Sequence, residues 1–390
     1  MISSASLARF SLVEGGPLYR IGRWAGAAPG NRGLVQMGFA LAAIAWIPLF
    51  VLNAIHDGAG STVSFTWSLG THTRFLVAIP LFFAAEATFG LRGREALEHL
   101  VASRLVPPAE ARSFERILAG AMRCRDSLLV EVALVAVTIG LILSGVRGDL
   151  PVDASHWRMA PEGASSRFTP AGWWYAVVSL PVFQFLVWRW CWRLLIWWIL
   201  LWRIARLNLK LVPTHPDLAG GLGGLGVAHT DLMPLSFGVS AMLVASYAED
   251  VMFSGVKLES LVLPLTGIVL GMTALVLMPL AFFAPRLLGT KQRGLLDYSV
   301  LAATYTEDFD TKWLRGARPE EPLLGAADVQ SLADLANSFE VIRSMRLVPF
   351  ALYQVVLLAG ATAAPILPLL LAVFRLDELI LQSARSLVGM

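Results

Sequence analysis

The chain has 390 residues, of which 56% are hydrophobic and only 15% charged, and its mean hydropathy is +0.65. Such values lie outside the range of soluble domains and exclude a fold whose outer surface is mainly water-facing. The net charge of +3 and pI near 9.0 arise from basic residues gathered on one side of the apolar segments, which orients a membrane protein and gives no reason to expect nucleic acid.

Residues 1–33 mix polar and apolar side chains, with no short signal core, and are expected to form an uncleaved cytoplasmic segment. Seven apolar windows follow, at 34–55, 75–91, 128–146, 173–188, 232–248, 261–283 and 348–374. Two of them tolerate one carboxylate each, Glu86 and Glu131. A helix needs about 20 residues to cross a hydrocarbon core of ~30 Å, so the windows starting at 75, 173 and 232 are the shortest candidates. None shows the period-2 alternation of a barrel strand, so the expected fold is an all-α polytopic integral membrane protein with about seven transmembrane helices. Placing the N-terminus inside puts 22 of the 31 Lys and Arg residues in cytoplasmic segments. That asymmetry orients the chain in a bacterial-type inner membrane with the C-terminal tail, 375–390, outside. The last window holds Gly360, Pro365 and Pro368 and is read as one kinked span, with a re-entrant hairpin as the alternative.

The membrane region 34–283 contains two cytoplasmic connections, 92–127 and 203–231. In the first, Pro107 and Pro108 break an amphipathic stretch, and a helix starting near Pro108 is expected to run unbroken through Glu131 into the membrane. The segment 284–347 reads as two helices around a Gly/Pro-rich turn at 316–325. Leu301, Tyr305, Phe309 and Trp313 share one face, and Val329, Leu332, Leu335, Phe339, Ile342 and Met345 another. These helices form a cytoplasmic cap or a homo-oligomer interface.

Eight of the 13 tryptophans lie between Trp173 and Trp202, a composition suited to the membrane interface. The same helix carries Arg189 and Arg193 near its inner end. Arg203, Arg206 and Lys210 continue the basic stripe and suit an anionic lipid headgroup. Glu86, Glu131, Arg189, Arg193 and Gln354 are expected at one depth near the inner boundary, where buried charges pair or line a pathway.

The connection at 214–231 holds His-x-Asp twice, as His215 with Asp217 and His229 with Asp231, around five glycines. The leading reading is that Thr214 and Asp217 cap a short turn while Thr230 or Asp231 caps the next membrane helix; the alternative is a divalent metal, which imidazole and carboxylate suit, although no established spacing selects these pairs. The run 221–226 matches Gly-x-Gly-x-x-Gly but lacks the preceding strand that a dinucleotide site needs. No cofactor is expected beyond that candidate metal. The sequence therefore favours a channel or transporter for an ion or small solute. The alternatives are an enzyme acting on a lipid-linked substrate through the His/Asp pairs, and a non-catalytic sensor or assembly protein.

Overall fold

A backbone that meets hydrocarbon must satisfy its own amides and carbonyls, and this chain does so almost wholly with helices. The structure is a computed structural model that describes residues 30–56, 65–147, 157–162, 165–316 and 325–373, with scattered positions between 10 and 26. Most of the expected N-terminal segment, the tail 375–390 and the centre of the 316–325 turn lie outside the described residues.

Helix α1 spans Asn31–His56. Helix α2, Leu69–Ala102, is 34 residues long, and α5, Pro170–Ala205, is 36. At 1.5 Å per residue each is roughly 50 Å long and exceeds the hydrocarbon core. Both contain a π-helical turn near the start, Thr73–Ala78 in α2 and Tyr175–Ser179 in α5. Each π turn ends two residues before a proline, Pro80 or Pro181. A proline has no amide to donate to the carbonyl four residues back, so the preceding turn widens where the ladder is interrupted.

Helix α3, Ala111–Arg125, and helix α4, Leu128–Arg147, meet at a 41° bend. The unbroken helix expected from Pro108 through Glu131 is thus corrected to two. The side chain of Arg125 grips the adjacent Asp126 carboxylate at 2.9 and 2.5 Å and also bonds the Ser11 carbonyl. With Asp126 leaving the helical region at ψ 6°, the helix ends there. An antiparallel pair, β1 at Met159–Glu162 and β2 at Ser165–Phe168, leads into α5 and was not foreseen in the sequence.

Residues 223–230, read above as loop, form helix α6, Gly223–Thr230, which passes almost directly into α7, Met233–Ser254. Neither Thr230 nor Asp231 caps α7. Thr230 bonds back to Val227 O at 2.6 Å, and Asp231 faces Arg92 at 3.5 Å. Helix α8, Val262–Leu277, continues through a tight turn at Met278–Phe283 into α9, Ala284–Phe309. Together they belong to a 58-residue rod, Leu258–Arg315. Helix α10, Ala327–Arg343, folds back on α9, where Asp328 receives Trp313 Nε1 at 3.1 Å and Lys312 Nζ at 2.7 Å. The last window is split by Ala364 and Pro365 into α11, Leu352–Ala363, and α12, Ile366–Val373.

Among the described residues five helical rods, two of them the joined α6–α7 and α8–α9, are long and apolar enough to cross a membrane, or six if α3 and α4 form one broken span. Large apolar side chains stay exposed along them, such as Leu129 at 84% and Leu263 at 82%, as a lipid-facing surface requires. An apolar crevice of about 560 Å³ separates α4 from α1 and α5.

The connections at one end of the bundle are knitted by backbone bonds. Lys210 N donates to Leu105 O at 2.8 Å, Val212 N to Gly220 O at 3.2 Å, and Arg346 N to Leu218 O at 2.7 Å. Helix α6 fits beneath this layer only because Gly226 has no side chain: a Cβ there would stand 2.3 Å from Pro349 O. Replacing Gly226 with Ala is expected to cost about 1–3 kcal/mol of stability by overpacking. Gly224→Ala, whose added carbon meets nothing nearer than 3.8 Å, should be neutral or slightly stabilising. Thermal denaturation of the detergent-solubilised variants checks the contrast.

Candidate functional site

A carboxylate or guanidinium inside the bilayer is costly unless it is neutralised by a partner. Glu86 lies midway along α2 and is 1% exposed; Arg189 and Arg193, one turn apart on α5, are 5% and 6% exposed. Glu86 Oε1 stands 2.6 Å from Arg189 Nη1 and 2.5 Å from Arg193 Nη1. The i, i+4 spacing puts both cations on one face of α5, so a single carboxylate oxygen holds two guanidiniums. Glu86 Oε2 is buried with no hydrogen-bond partner among the described residues. Glu131, in the first turn of α4, is close enough to act on Arg189 by charge. The two acids and two bases balance, and they join three helices.

Gln354 does not belong to this group. Its Oε1 accepts the Ala351 amide at 2.7 Å and lies where it would meet a Cβ on Gly226, so it fixes the start of α11 against α6. Arg203 lies exposed beside Gly120 of α3. Arg206 stacks its guanidinium 3.8 Å above the Trp202 ring. The Lys210 side chain is exposed, its backbone being tied to Leu105.

The two His-x-Asp pairs do not converge. Among the described residues no group of three or more His, Cys, Asp or Glu gathers in a way that could hold a metal ion. His229 is fully buried, with Nε2 accepting from Trp197 Nε1 at 3.1 Å and Nδ1 paired with Leu225 O at 2.7 Å. That pairing sets a neutral tautomer with the proton on Nδ1 and leaves neither nitrogen for a metal. The metal reading is thereby corrected, because indole and backbone have claimed the ring.

Asp217 instead organises the glycine-rich loop. Its Oδ1 accepts from Ala219 N at 2.8 Å and Gly221 N at 3.1 Å, and its Oδ2 accepts from Gly223 N at 2.8 Å. His215 Nδ1 is 2.8 Å away from Oδ1. The third bond caps the first residue of α6 from six positions upstream. Gly221 adopts φ +97°, which favours glycine. The glycines of the Gly-x-Gly-x-x-Gly run thus serve this turn and the approach of α6 to Pro349.

A second polar cluster, unforeseen in the sequence, lies at the start of α2 and α5. Arg74 Nη1 donates to Tyr175 OH at 2.5 Å, between the two π turns. Trp46 Nε1 donates to His72 Nδ1 at 2.9 Å, and His72 Nε2 meets Phe65 O at 2.9 Å. Glu249 Oε1 accepts the Gly70 amide at 2.7 Å. The visible signal was Arg74 just ahead of an apolar window. Its partners come from α5, α7 and the segment after α4, which no local pattern links to it.

No protein-family model, curated protein or solved structure matches this chain.

Two outcomes follow from these contacts. Glu86→Gln keeps the volume but leaves two buried guanidiniums without their counter-charge, and should lower stability by about 3 kcal/mol, read as a fall in melting temperature. At Asp217, burial pushes the carboxyl up, but the amides of Ala219, Gly223 and Gly221 and the His215 ring outweigh it and hold it below the ordinary range. A lowered folded value means the stabilisation is complete above the unfolded value of about 3.9 and is lost as pH falls through the folded one. Amide exchange at Gly221 and Gly223 should therefore accelerate as pH drops below about 4, relative to the intrinsic rate, and Asp217→Asn should remove that dependence.

Proposed function

We propose that the protein is a multi-pass transport protein for an ion or small solute, working through the charged cluster of α2, α4 and α5. On this reading it crosses a bacterial-type inner membrane seven times as a homo-oligomer, with α11 and α12 making the last crossing, the N-terminus inside and the C-terminus outside. The observation that carries the proposal is the balanced arrangement of Glu86, Arg189, Arg193 and Glu131 within membrane helices, with Glu86 Oε2 uncommitted. Charges in a bilayer that serve only to fasten helices could be replaced by apolar packing at little cost. A site that trades partners during a cycle gives such charges a reason to be there.

In this conformation the cluster is closed, since Glu86 and both arginines are almost fully buried. Opening separates Glu86 from one arginine and admits a hydrated solute between α2 and α5, each of which already carries a π turn and a proline. Arg203, Arg206 and Lys210 lie further along the same helix and loop, and on this reading they hold the inner interface through lipid phosphates.

A second reading is assembly through the α9–α10 hairpin, favoured by its exposed Leu296, Val300, Leu301, Leu314 and Val329. The enzyme alternative loses its support with the metal site.

Flux into proteoliposomes separates these readings. Purified protein should carry protons, alkali cations, halides or small carboxylates, and Glu86→Gln should slow the transported species at least tenfold at a temperature where the variant remains folded. Inert proteoliposomes, or unchanged flux in Glu86→Gln, would contradict the transport reading.

A further inference from the structure

The second cluster differs from the Glu86 cluster in charge balance. Arg74 and Arg158 are both near Glu249, which feels each of them electrostatically, and His72 adds no charge in the tautomer its two partners require. Among the described residues, two guanidiniums therefore face one carboxylate. That carboxylate is already occupied by the Gly70 amide and by Ser68.

The donors are in excess as well. Trp157 is 3% exposed, and its Nε1 has no hydrogen-bond partner among the described residues; the same holds for the buried Nε atoms of Arg74 and Arg158. All three side chains converge on Tyr175. Arg74 bonds its hydroxyl at 2.5 Å, Arg158 sits 5.0 Å over its ring, and the Trp157 ring lies 5.8 Å away, edge to face. A buried N–H without an acceptor costs free energy, and native structures rarely leave several in one place. Three uncommitted donors beside a surplus positive charge call for an acceptor that brings a negative one.

We infer that this cluster is a binding site for a small anion, held by Arg74, Arg158 and the Trp157 indole N–H. A halide or a short carboxylate has the required chemistry. The cluster stands 12 residues before Glu86 on α2 and 14 before Arg189 on α5, about 20 Å along the helices. Between them the two helices place Arg74 of α2 at one level and Arg189 and Arg193 of α5 at the other. As a statement of substrate class the inference rests on the transport reading, and the solute moved is then an anion. As a site it stands on its own contacts.

The test uses full-length protein in detergent, titrated with sodium chloride and separately with sodium formate while the melting temperature is recorded. Binding to the folded state raises that temperature saturably. Trp157→Phe keeps the ring and loses the donor, and Arg158→Gln loses the charge; each should weaken the apparent affinity by about tenfold or more. Arg343→Gln, an exposed cation on α10, should leave it unchanged. Should Arg158→Gln fail to fold, Arg158→Lys and Trp157→Phe carry the comparison. No saturable shift with either anion, or equal affinity in wild type and Trp157→Phe, would overturn the site. Saturable binding that depends on Trp157, in protein whose proteoliposomes move no anion, would uphold the site and overturn the anion as the transported solute.

Discussion

One carboxylate oxygen holding two guanidiniums inside the membrane sets the arrangement of the helices around it. Hydrocarbon offers no solvent to share the charge, so Glu86, Arg189 and Arg193 fix how far α2 may slide or rotate against α5. Glu131, in the first turn of α4, acts on Arg189 through its charge. The rest of α4 is less constrained, with an apolar crevice between it and α1 and α5 and a 41° bend behind it.

On either side of this level the chain uses a repeated device, an indole donating to an imidazole whose other nitrogen meets a backbone carbonyl. Trp46, His72 and Phe65 make it near the start of α2, and Trp197, His229 and Leu225 make it near α6. Each satisfies a partly or fully buried Trp and a partly or fully buried His at once, where an unsatisfied polar group would be expensive. Beyond the second of them, the layer built from the Asp217 loop, Arg346 and Gly226 joins α6, α9 and α11 into one end of the bundle. The long rod of α8 and α9 leaves the membrane from that layer.

Much of the helical framework was legible because lipid exposure leaves long apolar runs, yet the runs misjudged length in an instructive way. The windows at 75–91 and 173–188 looked short because Arg92 ends one and Arg189 ends the other, whereas the helices reach Leu69–Ala102 and Pro170–Ala205. Arg189 itself is neutralised inside the protein by Glu86, a pairing that no hydropathy average can register. Conversely, the window at 348–374 looked like the longest span but breaks at Pro365. The π turns were visible only as Pro80 and Pro181, whose effect depends on a helix continuing through them. Asp217 was legible as a turn cap, but the amides it holds were not, because a sequence does not distinguish one backbone amide from another. His229 stayed a candidate metal ligand because its true partner, Trp197, lies 32 residues away. Trp157 and Arg158 follow a polar connection with no periodicity, so nothing local ties them to Tyr175.

The central claim is that Glu86 and Arg189 interact directly and favourably within the membrane. A double-mutant cycle of Glu86→Gln and Arg189→Gln, read by the stability of the protein in a lipid bilayer, measures that interaction with the separate costs of each substitution removed. The account expects a coupling of about 1–3 kcal/mol, with the double variant more stable than the sum of the single losses allows. Strictly additive losses would mean that the two side chains do not stabilise one another, and the arrangement described for α2, α4 and α5 would have to be abandoned.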